Sequence, residues 1–207
     1  SAAYMFGTIY EHLDRERFEV VTYADLSTTD QVTDWFRDAS NGWRDVTAWP
    51  DEVIAEAVRR DRIDVLIDLA GFTDKSHLMV HMLKPAPLSI NAWGHLTGTG
   101  LDCMDGLIVD RVMLTEDRRH EITETPCYVP FALGFSPSKD HVEITPRPEG
   151  APLTFGYLGR IQKISDPTVA LCADLLHVHP ESRLLLKDGT FRQERTRLRM
   201  LERFAAW

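Results

Sequence analysis

The sequence predicts an α/β protein of parallel, Rossmann-like sheets, with a second lobe that is only begun. Two observations carry this. Ile63 to Ala70 (IDVLIDLA) is a short run of branched apolar side chains closed by Gly71, the pattern of a buried parallel strand. A polar turn (Gly71 to Ser76), a short helix (His77 to Lys84), a second strand (Leu88 to Trp93) and a glycine-rich loop (Gly94 to Gly100) complete one βαβ unit. Pro85-Ala86-Pro87 ends the helix, because proline lacks the amide donor and pushes its predecessor out of the α region. The second observation is that a strand-helix-strand-helix alternation restarts after residue 152, beyond a proline-punctuated stretch. Ligands of open α/β sheets bind beyond the carboxyl ends of the strands, so the turn at 71–76 and the loop at 94–100 are the first places to look for a site.

The remaining elements follow in order. Ser1 to Leu13 places Ala3, Phe6, Ile9, Tyr10 and Leu13 on one helical face. Phe18 to Tyr23 reads as a strand, Asp30 to Ala39 as a helix and Trp43 to Thr47 as a short strand. Pro50 at N1, with Asp51 and Glu52 in the first turn, opens a helix that reaches Arg60, its arginines at the negative end of the dipole. Met104 to Val109 and Glu124 to Val129 are strands. Pro130, Pro137, Pro146, Pro148 and Pro152 then mark a linker, which gives a first lobe over 1–134, a linker over 135–152 and a second lobe over 153–207. In that lobe Leu153 to Leu158 and Arg183 to Lys187 are strands. A helix starts at Asp166-Pro167 and runs to about Val178, and Thr190 to Ala206 is a helix with Phe191, Leu198, Leu201 and Phe204 inward. Four elements are too few to close such a sheet, which makes this lobe incomplete.

Composition narrows the function classes. The 207 residues are 43% hydrophobic and 27% charged, an ordinary globular balance. A formal net charge of −9 argues against nucleic acid and against an anionic membrane surface as the main partner. No apolar stretch approaches the roughly 18 residues of a membrane span. Cys103, Cys127 and Cys172 form no CxxC and read as reduced thiols of a cytoplasmic protein.

Several chemical signals fall away on inspection. His77 and His81 have a zinc-ligand spacing, but Leu78 replaces the glutamate of HExxH and no third ligand follows, so no metal is expected. Gly94, Gly98 and Gly100 match neither the dinucleotide fingerprint nor the P-loop. Asp64 and Asp68 share a strand face by period two, and Asp68, at the carboxyl end, is the better site candidate, weighed against a turn-forming role. Thr73 faces the same choice between a ligand and its own turn. His95 has proton transfer, sugar binding or a structural hydrogen bond open to it. Trp35, Trp43, Trp49 and Trp93 read as core or lobe-interface residues rather than sugar platforms.

The runs IDVLIDLAGFT and LKPAPLSINAWGHLTGTGLDCMD, followed at the right spacing by LTFGYLGRIQKISDPTVALCADLLHVHPESRLLLK, resemble the catalytic region of the O-linked N-acetylglucosamine transferases, the SPINDLY-like family. The resemblance covers nearly the whole chain. It implies a two-lobed glycosyltransferase-B fold and an inverting, metal-independent transfer of N-acetylglucosamine from UDP-GlcNAc to Ser or Thr of proteins. It implies no cofactor beyond that donor substrate, a protein or peptide acceptor, and TPR repeats upstream. Lys163 matches the family's lysine that neutralises the leaving diphosphate, and its place just ahead of a helix start suits an anion. A solvated surface lysine is the bland alternative. Gly94, His95, Leu96 and Thr97 occupy the family's sugar-contacting loop, where its Tyr-Pro-Gly-Thr is replaced by His95-Leu96-Thr97-Gly98. Arg160 stands where the family has glutamine and adds a cation beside the diphosphate. The family's histidine base lies upstream of Ser1, so the 207 residues by themselves are expected to lack transferase activity. Two other readings stay open: a related transferase using a different sugar or an Asn acceptor, and a non-catalytic nucleotide-sugar-binding module.

Overall fold

Every strand pair among the described residues is parallel, in keeping with short apolar strands linked by helices. The computed structural model describes residues 2–73, 75–92, 98–134 and 142–207, with side chains from residue 5 onward. The chain divides into two units, Ser1–His141 and Val142–Trp207, each with its own core.

The first unit runs α1 (Ala2–His12), β1 (Val21–Ala24), α2 (Gln31–Asp38), β2 (Gly42–Asp45), α3 (Asp51–Arg60), β3 (Val65–Asp68), α4 (Leu78–Met82), β4 (Leu88–Ala92), β5 (Gly106–Val109) and β6 (Thr125–Tyr128). β1 pairs with β2, while β3, β4, β5 and β6 form a second sheet in sequence order. α2 starts where a capping box forms: the Asp30 carboxylate accepts the Thr33 amide at 2.9 Å and the Thr33 hydroxyl accepts the Asp30 amide at 3.2 Å. α3 is the hub. Its Ile54, Ala55 and Val58 are buried with Val46, Val80 and Ala86, and Tyr23 of β1 and Leu66 of β3 pack on the same cluster. That places both sheets against one helix. A second cluster, Leu107, Val109, Leu114 and Ile122 with Tyr128 against it, backs β5 and β6.

Two sequence expectations need correction in this unit. Pro50 is the N-cap of α3, not its first helical residue, because its ψ of 149° is extended. The strand expected to be buried over 63–70 is confined to Val65–Asp68 and heads the strand order of its sheet. Leu66 joins the core under α3, but Val65 and Ile67 are 43% and 44% exposed. Leu88, the partner of Val65 in register, is exposed with them. The apolar run records a strand with one covered face, which a continuous hydrophobic pattern cannot distinguish from one covered on both.

The second unit runs β7 (Thr154–Tyr157), α5 (Asp166–Val178), β8 (Arg183–Leu186) and α6 (Glu194–Ala205). Ile164, Val169 and Met200 form its core, with Tyr157, Ile161, Leu186, Phe191 and Phe204 packed around them. The single helix expected over 190–206 is instead a 3-10 turn, Gly189–Arg192, followed by α6. The break at Gln193, whose ψ is 118°, uncouples Phe191 from the helical phase. Met200 therefore takes the buried position, and Leu198 and Leu201 are exposed. Among the described residues no helix is long and apolar enough to cross a membrane.

Candidate functional site

In the second unit the loops that leave β7 and β8 are built as one piece. Leaving β7, the chain passes Gly159, where an added Cβ would stand 2.8 Å from the Tyr157 hydroxyl, so glycine lets that ring lie along the backbone. Arg160 then caps a 3-10 turn, Ile161–Lys163, closed by the Lys163 amide donating to the Arg160 carbonyl at 3.0 Å. Ile164 is buried behind it. Ser165 opens α5, its side chain accepting the Thr168 amide, with Pro167 in the first turn where a missing donor costs nothing.

Two side chains hold that turn from outside. The Asp188 carboxylate, just beyond β8, accepts the Thr190 amide at 2.8 Å and hydroxyl at 2.5 Å through one oxygen, and the Ile161 amide at 3.3 Å through the other. The Thr190 contacts lead in holding its pKa below the ordinary carboxylate range, and the nearby Arg160 charge adds to them. Arg203 of α6 donates to the Ile164 carbonyl at 2.9 Å and grips one oxygen of Asp166 at 2.6 and 3.1 Å. Lys163 itself is exposed, and its ammonium meets no hydrogen-bond or ion-pair partner among the described residues. The result is a braced turn that offers a free cation one step ahead of a helix N-terminus, where backbone amides and the dipole favour an anion.

In the first unit, the turn after β3 is shaped by the residues singled out from the sequence. Asp68 is buried and accepts the Ala70 amide at 3.2 Å and the Gly71 amide at 2.7 Å. Thr73 donates its hydroxyl to the Ala70 carbonyl at 2.7 Å and keeps its lone pairs for another donor. Beyond that turn, His77 sets Nδ1 2.6 Å from Asp51 and Nε2 3.4 Å from Asp25, and Lys75 pairs with Asp25 at 2.7 Å. This cluster ties the turn to the end of β1 and the start of α3. His81, which shares the zinc-type spacing, is buried apart from it. Gly94, His95, Leu96 and Thr97 lie outside the described residues, as does Trp93. The limb that follows them is described: the Glu124 carboxylate accepts the Thr99 amide at 2.5 Å and the Thr99 hydroxyl at 2.7 Å.

Asp188, Arg203 and Glu124 escaped the sequence reading. Asp188 carried a usable signal, since Asp-Gly-Thr after a strand is a turn former. The other two meet partners far away in sequence and left none.

Residues 2–145 match the family described as glycosyl transferase family 41. The chain belongs to glycosyl transferase family 41. Among relatives of this family-41 chain, the probable UDP-N-acetylglucosamine–peptide N-acetylglucosaminyltransferase SPINDLY of Arabidopsis thaliana is 29% identical over 208 residues, 97% of this chain and 23% of the relative. A UDP-N-acetylglucosamine–peptide N-acetylglucosaminyltransferase of Caenorhabditis elegans is 31% identical over 138 residues, 63% of this chain and 11% of the relative. The solved structure of a mutant O-GlcNAc transferase from Thermobaculum terrenum superposes with a TM-score of 0.92 at 28% identity, over 99% of this chain and 39% of that one. The family-41 chain thus spans under a quarter of the SPINDLY relatives and two fifths of the solved transferase. The likeness bears out the expected fold class, α/β of glycosyltransferase-B type with parallel sheets.

Proposed function

We propose that this family-41 chain is part of the catalytic region of a transferase that moves N-acetylglucosamine from UDP-GlcNAc to Ser or Thr hydroxyls of proteins. The names of its relatives support the donor and the acceptor class. The observation that carries the reading is the braced turn with the Lys163 ammonium, which meets no partner among the described residues.

In this reaction the acceptor oxygen attacks the anomeric carbon as the bond to the diphosphate breaks. UDP leaves with the electron pair, and the acceptor proton passes to a base or relay. Attack opposite the leaving group inverts the anomeric centre. Negative charge grows on the departing β-phosphate, and a cation already fixed in place stabilises it without reorganising. Lys163 fills that role, with Arg160 supplying a second charge and the first-turn amides of α5 supplying donors. Side-chain cations at the diphosphate take the part a divalent metal plays elsewhere, which makes the proposed reaction metal-independent and leaves it no cofactor.

Gly94, Leu96 and Thr97 are assigned to the sugar side of the donor, with His95 as the weaker candidate for proton transfer. Asp68 and Thr73, which shape the turn after β3, are assigned to binding the same substrate. TPR repeats upstream and a cytoplasmic location complete the proposal. A second reading has one observation in its favour. The substitution of Tyr-Pro-Gly-Thr by His95-Leu96-Thr97-Gly98 falls in the sugar loop, which favours a related sugar over a change of nucleotide.

The test is calorimetric titration of the full-length protein that carries this chain with UDP, UDP-GlcNAc, UDP-glucose and a guanosine-diphosphate sugar. Binding of UDP and of UDP-GlcNAc, with the guanosine compound rejected, is expected. Binding of neither uridine compound would overturn the reading.

A further inference from the structure

Three buried polar side chains in the first unit meet no hydrogen-bond partner among the described residues: His81 through Nδ1, Ser89 through its hydroxyl and Asn91 through both ends of its amide. Ser89 and Asn91 are 0% exposed and His81 is 4% exposed. Buried polar groups of folded proteins are paired in the great majority, because an unmade bond costs the full desolvation of the group. A single such atom is an irregularity, but a cluster of them calls for a shared partner.

The three residues do form a cluster. Ser89 and Asn91 stand two apart on β4, so their side chains leave the same face of the strand. Across the register with β3, Ser89 lies beside Leu66 and Asn91 beside Asp68. Leu66 packs on the apolar cluster that holds Ile54 of α3 and Val80 of α4, so this is the face those helices cover. His81 follows Val80 on α4, close enough to Asp68 for the carboxylate charge to act on its ring. Asp68 itself is turned elsewhere: its two oxygens accept the Ala70 amide at 3.2 Å and the Gly71 amide at 2.7 Å. On the other side Asn91 is in register with Leu107, whose side chain has no polar atom.

The chemistry of the set narrows what it can hold. A hydroxyl, a carboxamide and an imidazole whose cationic form burial disfavours offer both donors and acceptors and no net charge. That suits neither a metal ion nor an anion, and a site enclosed on this scale admits a molecule the size of water. We infer that His81, Ser89 and Asn91 form a buried water site between α4 and β4, in which ordered water is the hydrogen-bond partner the three side chains share. One water donates to Asn91 Oδ1 and to His81 Nδ1 and accepts from the Ser89 hydroxyl, the usual three bonds of an internal water. The helix and the strand are thereby joined next to Asp68, and the three residues act as one unit.

The test is the crystal structure of the full-length protein that carries this chain, together with the melting temperatures of Ser89→Ala, Asn91→Leu and the double variant. Density for water within about 3.2 Å of at least two of the three side chains is expected. Asn91→Leu should lower the melting temperature by about 2 °C or more, since it expels the water and leaves Ser89 and His81 unpaired. The double variant should lose less than the sum of the two single ones, because both losses run through the same water. Density that shows no water at these atoms overturns the inference. So does a rise in melting temperature for Asn91→Leu, the result for a dry site where an unpaired amide gives way to an apolar side chain of similar size. Strictly additive losses would overturn the shared site as well.

Discussion

The Asp188 carboxylate accepts the Ile161 amide at 3.3 Å, and through that bond the loop after β8 steadies the turn that presents Lys163. Its other oxygen is engaged by Thr190, so Asp188 is itself held while it holds. Asp188→Ala should free the turn and lower UDP affinity by about tenfold, the scale of one lost hydrogen-bonded constraint beside a charged ligand. Asp188→Asn, which keeps one acceptor, should lose less. Titration calorimetry with UDP reads both, and equal affinity in all three proteins would show that the turn needs no such brace.

Arg203 joins α6 to the same turn in a way that separates two contributions. Its bond to Asp166 involves a carboxylate 85% exposed, and ion pairs of that kind contribute little. Its bond to the Ile164 carbonyl satisfies an acceptor next to the core. Arg203→Ala should therefore destabilise the second unit by about 1 kcal/mol, and Asp166→Asn by clearly less. Denaturant midpoints give the comparison; an equal loss from both variants would put the stabilisation in the ion pair.

His81 makes the fold sensitive to mild acid. It is buried on α4, which packs on α3; its Nδ1 finds no partner among the described residues, and burial holds its pKa below the usual histidine value while Asp68 pulls partly the other way. A folded-state pKa below the unfolded value of about 6.5 means the unfolded chain takes up the proton first. Stability is full above that unfolded value and falls as pH drops through the folded one. His81→Leu should flatten the thermal-denaturation profile below about pH 6.5. The profile would stay as steep as wild type if other groups set it.

Local patterns made much of the fold legible. The run from Asp30 to Ala39 reads as a helix and α2 forms there, and Asp166-Pro167 announces α5 in the same way; the caps, Asp30 with Thr33 and Ser165 with Thr168, are seen in the structure. What failed depended on the far side of a contact. Val65 and Ile67 look like core because nothing in their own sequence says that only one face of β3 is covered. Leu198 and Leu201 look inward-facing when one helical phase is carried across Gln193, where the backbone resets it. In the site, a lysine ahead of a helix start is a local signal. The residues that brace it, Asp188 on Ile161 and Arg203 on Ile164, act across 27 and 39 positions, and of the two only Asp188 leaves a local sign, as a turn former.

The most direct test of the account is the affinity of the full-length protein that carries this chain for UDP, with and without the Lys163 ammonium. Because that cation has no partner to lose among the described residues, Lys163→Ala should leave the melting temperature unchanged while UDP affinity falls by about tenfold or more, the effect of removing one charge-assisted contact to phosphate. UDP affinity equal in the two proteins would show that the diphosphate does not sit at this turn.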